Sequence, residues 1–152
     1  MTLPAKPSLA IELISGFFIL LFVYTALSKF NNLDRFAATL AQSPLLGAAS
    51  GFFAPAIPVI ELLVATLLFV PSRRYWGLVS AASLMALFTG YIGYMLLFSP
   101  RLPCSCGGII NGLSWKGHLL YNTGATALAL MGWKWERNKK TDDKQAIVNY
   151  SC

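Results

Sequence analysis

Residues 75–98 read YWGLVSAASLMALFTGYIGYMLLF, with no Asp, Glu, Lys, Arg or His anywhere in the run. A helix needs about 20 mostly apolar residues to cross the roughly 30 Å hydrocarbon core of a bilayer, and this block exceeds that length. Three further blocks are visible on either side of it. Phe52–Val70 is apolar except for Glu61 at its centre, and Leu9–Leu27 except for Glu12 near its start. Gly117–Trp133 is shorter and carries only His118, at its beginning. Hydrophobic residues make up 56% of the 152-residue chain and charged residues 12%, and they come in blocks rather than at the spacing of a soluble amphipathic helix. The pattern predicts an all-α membrane bundle of four helices, with spans at about 9–27, 52–70, 75–98 and 117–135. Residues 1–135 form the membrane domain in this reading, and 136–152 a polar, mobile cytoplasmic tail.

The chain carries a formal charge of +6, which raises nucleic acid as a partner, but the distribution of that charge argues against it. With the N-terminus in the cytoplasm, Lys6, Arg73, Arg74, Lys134, Arg137, Lys139, Lys140 and Lys144 lie inside. Lys29, Arg35, Arg101 and Lys116 lie outside. Eight cations against four satisfies the positive-inside rule with both termini cytoplasmic. The excess charge is topological, and the partner it implies is a lipid bilayer. The first block is read as a retained span, because its apolar run before Ala26-Leu27-Ser28 exceeds the roughly 7–15 residues of a signal-peptide core.

Between the first two spans, Phe30, Leu33, Phe36, Ala37 and Leu40 recur at helical spacing with Asn32, Asp34 and Arg35 among them. This predicts a short amphipathic helix lying in the membrane interface, a cap over the outer mouth of the bundle. Pro55 and Pro58 are expected in the first turns of the second span, where a missing backbone donor costs least. Ala82, Ala86 and Gly90 follow the small-xxx-small spacing that permits close helix approach.

The chemistry concentrates in Pro103-Cys104-Ser105-Cys106-Gly107-Gly108, a polar break between the third and fourth spans. Two thiols one residue apart cannot staple distant parts of a fold, and a disulfide between them closes a small, strained and easily reduced ring. The topology places them outside the cytoplasm, where disulfides persist. Gly107 and Gly108 let another chain approach the sulfurs. Arg101, Lys116 and His118 are the nearby groups able to favour a thiolate. Three uses stay open on the residues alone: redox exchange, a static local bridge, and soft-metal binding by Cys104, Cys106 and His118. Cys152 falls on the opposite side of the membrane and reads as a free cytoplasmic thiol.

Trp115, His118 and Asn122 fall at i, i+3 and i+7, on one face of the fourth helix. Turned toward the loop, that face would let His118 accept a proton from a cysteine; turned away, His118 is an interfacial side chain beside an aromatic anchor. Glu61 lies at mid-span, where an ionisable group is expensive and marks either a proton-handling or quinone-contacting role or a helix-to-helix hydrogen bond. Tyr24, Thr89 and Tyr91 are the partners considered for it.

The cysteine motif, the following Leu113-Ser114-Trp115, and then His118 and Asn122 resemble the methylamine-utilisation MauE family. That family belongs to the wider DoxX-like group of four-span membrane proteins. Ile57-Pro58-Val59-Ile60-Glu61-Leu62, followed by Arg73-Arg74, is similar to the second-span pattern of the group. The resemblance implies a redox-associated membrane protein supporting disulfide formation or exchange in extracytoplasmic proteins. It implies Cys104 and Cys106 as the reactive pair and the bacterial inner membrane as the setting; the reading of the residues themselves adds His118 as proton-handling helper, with Glu61, Trp115, Asn122, Gly107 and Gly108 in support. The implied partner is a periplasmic thioredoxin-like protein or a disulfide-containing client. A quinone is the candidate electron acceptor, and no metal is expected. Two other readings are a non-enzymatic assembly subunit and a copper- or zinc-handling protein.

Overall fold

The computed structural model describes residues 6–98 and 115–150, and all regular structure among them is helical. Five α-helices follow one another: α1 (Lys6–Asn31), α2 (Leu33–Ala41), α3 (Ser50–Phe69), α4 (Arg74–Phe98) and α5 (Trp115–Tyr150). Single 3₁₀ turns, Gly47–Ala49 and Pro71–Arg73, lead into α3 and α4.

Helix α1 is apolar nearly all round, so burial rather than composition identifies its inward face. Ile11, Ile14, Phe18, Leu21 and Phe22 point into the core, while Leu13, Phe17, Leu20 and Leu27 are exposed on the other side. The same holds for α3 and α4, where Phe69 and Leu97 are among the exposed large side chains. Helices hydrophobic on every side belong in lipid, which solvates the outer face as the core solvates the inner one. Three helical segments, Leu9–Asn31, Gly47–Phe69 and Pro71–Phe98, are long and apolar enough to cross a membrane. The chain is a helical membrane protein.

The core is shared by α1, α3, α4 and α5, with Phe18, Leu68, Leu78 and Ala129 at its centre. The most extensive packing pairs α4 with α5 and α1 with α3. Thr89 meets Thr126 across the first pair, and Tyr75 meets Lys140, so α5 retraces α4 antiparallel. From Thr89 back to Tyr75, and from Thr126 on to Lys140, is fourteen residues on each helix, about 21 Å of shared length. Helix α5 is nevertheless not among the three apolar segments. His118, Asn122, Thr123 and Thr126 dilute its first half.

The amphipathic helix expected after the first span is present as α2. It packs on α3 with Leu40 buried, Phe36 and Ala37 half-buried, and Asp34 and Arg35 exposed. Ser43 closes the turn behind it, its hydroxyl accepting from the Leu45 and Leu46 N–H groups at 3.3 and 3.4 Å.

Four local expectations are corrected. Helix α1 runs to Asn31, so Lys29 stands in its last turn rather than in a loop. Helix α3 begins at Ser50, which makes Pro55 its sixth residue and Pro58 its ninth. Both lie past the turn where backbone donors are free, so each deprives a carbonyl four residues earlier of its helical donor. The close approach of α4 falls at Gly77 and Ala81, both buried, rather than along Ala86 and Gly90, which are exposed. A Cβ at Gly77 would stand 2.8 Å from the Leu68 backbone nitrogen, whereas nothing lies within 4 Å of one at Gly90. Finally, residues 136–150, expected as a mobile tail, continue α5 as helix to Tyr150.

Candidate functional site

Glu61 lies on the inward face of α3 and is 1% exposed. Its Oε1 accepts a hydrogen bond from Lys29 Nζ at 2.6 Å. The Lys29 ammonium also stands 5.8 Å from the Phe36 ring centroid and 5.7 Å from that of Phe88. One charged pair thus gathers four helices: the lysine comes from α1, the carboxylate from α3, and the rings from α2 and α4. Aromatic faces are among the few apolar surfaces that stabilise an ammonium. Thr25 adjoins the carboxylate, although its hydroxyl donates to the Phe22 carbonyl at 3.2 Å. Glu61 Oε2 is buried with no hydrogen-bond partner among the described residues. The pair therefore retains one free acceptor oxygen inside the bundle, able to take a hydrogen bond or a proton from a further group.

The sequence singled out Glu61 but not its partner. Tyr24 is 54% exposed, and Thr89 is engaged with α5. Lys29 was counted among the outer loop charges because the first apolar block ends at Leu27. The missed signal is one helical turn long. Extending that block by four residues places the only basic residue of α1's last turn within reach of the only acidic residue of α3.

A second polar group lines the α4–α5 contact. Asn122 Nδ2 donates to the His118 carbonyl at 2.8 Å, and Thr126 Oγ1 to the Asn122 carbonyl at 2.7 Å. Thr126 Oγ1 also lies 3.1 Å from Thr89 Oγ1, which donates to the Met85 carbonyl at 2.7 Å. These bonds let polar side chains lie in an apolar environment by returning them to their own backbone. His118 is half-buried in the first turns of α5, and Trp115 opens that helix. Asn122 thus spends its amide on the carbonyl of His118 rather than on the imidazole.

Cys104, Cys106, Gly107 and Gly108 lie outside the described residues. What is described is the frame that holds them. A Cβ at Gly93 would stand 4.0 Å from Leu119 Cδ1, so α4 and α5 are still in contact close to their facing ends. Residues 99–114 join those two ends. Among the described residues, no three His, Cys, Asp or Glu side chains gather as a metal site. That observation does not bear on the set Cys104, Cys106 and His118, two of which lie outside.

Comparison with protein families matches residues 7–134 to the family described as methylamine utilisation protein MauE. No curated protein and no solved structure matches the chain significantly.

Proposed function

The chain belongs to the MauE family, and from that membership we propose that it is a membrane thiol–disulfide redox protein serving extracytoplasmic clients. The observation that carries the reading is the Cys104-Ser105-Cys106 pair, set within the matched region between two helices that pack side by side and antiparallel. The family's link to methylamine utilisation makes proteins of that process the first clients to test.

In this reading α5 is the fourth span. Its antiparallel packing along α4 supports this despite its lower apolarity, and α2 caps the outer mouth of the bundle. Both termini are cytoplasmic, the protein sits in the bacterial inner membrane, and the cysteine segment faces the periplasm. A client thiolate attacks one sulfur of the Cys104–Cys106 disulfide, breaking the S–S bond and forming a mixed disulfide. The client's second thiolate attacks that mixed bond and leaves with its own disulfide. Two electrons now reside on the Cys104/Cys106 dithiol, and the client's two protons are taken up by the departing thiolates. His118, twelve residues after Cys106 and in the first turns of α5, is the group assigned to move them. The same steps in reverse reduce a client. For net oxidation the pair must pass its electrons onward, and a membrane quinone is the candidate acceptor.

The test is a trapping experiment. With Cys104→Ser or Cys106→Ser, one of the two single variants is expected to accumulate a mixed disulfide with a thioredoxin-like protein or client, resolvable by thiol reductant. The double variant should trap nothing and leave client thiols unpaired. If client disulfides form normally in the double variant, the redox reading is wrong.

A further inference from the structure

The end of α4 remote from the cysteine segment borders an open cavity of about 280 Å³ at the surface, lined by Tyr75 of α4 and by the exposed Arg137, Lys140, Thr141 and Lys144 of α5. The four α5 residues recur at i, i+3, i+4 and i+7, so one helix face brings three cations to a single wall. No carboxylate lines the cavity to neutralise them. Two of the cations are held against rings. The Arg137 guanidinium carbon stands 5.3 Å from the Trp133 centroid, and Lys140 Nζ stands 5.0 Å from that of Tyr75.

Three cations on one wall, with no carboxylate among the lining residues, call for a compact group rich in anionic oxygen. The location narrows the source. Tyr75 and Trp76 open α4, and Trp133 and Trp135 mark where α5 leaves the apolar core, a gathering of aromatic side chains typical of headgroup depth. Basic pockets between helices at that depth, on the side carrying the positive charge, suit lipid phosphates.

We propose that this cavity binds the phosphodiester head group of an anionic phospholipid. The phosphate oxygens bridge Arg137, Lys140 and Lys144, while the acyl chains run down the exposed apolar face beside Tyr75 and Trp76.

The full-length protein in neutral detergent, titrated with phosphatidylglycerol or phosphatidylcholine and read by native mass spectrometry, tests the assignment. Phosphatidylglycerol is expected to bind at least about tenfold more tightly, from roughly fivefold per cation at a membrane surface. R137Q/K140Q/K144Q should bind the two lipids equally. R73Q/K134Q/K139Q, which removes as many exposed cations from the same end but none from the lining, should keep the preference. Equal binding of both lipids by the unaltered protein overturns the proposal. So does equal loss in both triple variants, which would mean diffuse surface charge. Displacement of phosphatidylglycerol by inorganic phosphate at equal concentration overturns the lipid assignment in favour of a free anion. Should the lining triple variant fail to fold, Lys140→Met alone, which keeps the contact with Tyr75, should lower the preference about fivefold. An unchanged preference in that variant also overturns the proposal.

Discussion

Lys29 and Glu61 are the most consequential pair among the described residues. Removing one partner of a buried ion pair strands the other charge away from water, a loss of about 3–5 kcal/mol, whereas removing both with apolar groups of similar size is often nearly neutral. Lys29→Met is therefore expected to lower the unfolding free energy in detergent by about 3–5 kcal/mol, and Lys29→Met/Glu61→Leu to recover most of it. Denaturant titration monitored by tryptophan fluorescence gives both numbers. A double variant as unstable as the single would show that the two side chains do not depend on each other. Client-thiol oxidation measured on the restored double variant then separates roles. Normal oxidation makes the pair a purely structural tie, and lost oxidation at recovered stability assigns it to proton handling or to contact with the electron acceptor. At this scale the sequence was half legible. A carboxylate in an apolar run stands out against its background, which is why Glu61 was visible. A lysine at a helix end looks like any interfacial cation until the helix length is known, which is why Lys29 was not.

Helix α4 shows the limit of spacing arguments in a membrane protein. In water, the polar residues of a helix mark its outer face; in lipid, both faces are apolar, and the inward one cannot be read from hydrophobicity. Ala82-xxx-Ala86-xxx-Gly90 looked like the contact stripe, yet Ala86 and Gly90 face outward, and the tight crossing is at Gly77 against the α3 terminus. The two glycines therefore predict opposite outcomes. Gly77→Ala sets a methyl against backbone atoms of Leu67 and Leu68 that have no rotamer to yield, and should cost about 1–3 kcal/mol. Gly90→Ala meets open space and should be neutral or stabilising by up to about 1 kcal/mol through helix propensity. Thermal unfolding of the two variants in the same detergent checks the contrast. Equal effects would mean that the α3–α4 crossing is looser than the backbone spacing implies. The order of the helices and the approximate positions of the apolar ones were legible, because they follow from block length; the polar C-terminal half of α5 was not. Their rotations were not, because lipid removes the polar face that would report them.

For the whole molecule, the open quantity is the side of the membrane on which each end lies, and α5 decides it. Hydropathy alone counts three spans, which would leave the two termini on opposite sides. Packing argues otherwise. Helix α5 follows α4 antiparallel for about 21 Å, and 36 residues at 1.5 Å each give it about 54 Å, far more than a bilayer core requires. Its polar residues can tolerate an apolar environment, since Asn122, Thr123 and Thr126 bond to carbonyls of their own helix. A fourth crossing, as proposed above, would return the C-terminus to the side of the N-terminus and gather Arg73, Arg74, Lys134, Arg137, Lys139, Lys140 and Lys144 on that side. The expected outcome is specific to each thiol. In intact spheroplasts under mild reduction, a membrane-impermeant maleimide should label Cys104 or Cys106 and spare Cys152 until the membrane is permeabilised. Labelling of Cys152 together with the pair would mean that α5 does not cross. Labelling of Cys152 alone would turn the bundle over, put the cysteine pair in a reducing compartment, and remove the setting in which its disulfide could persist.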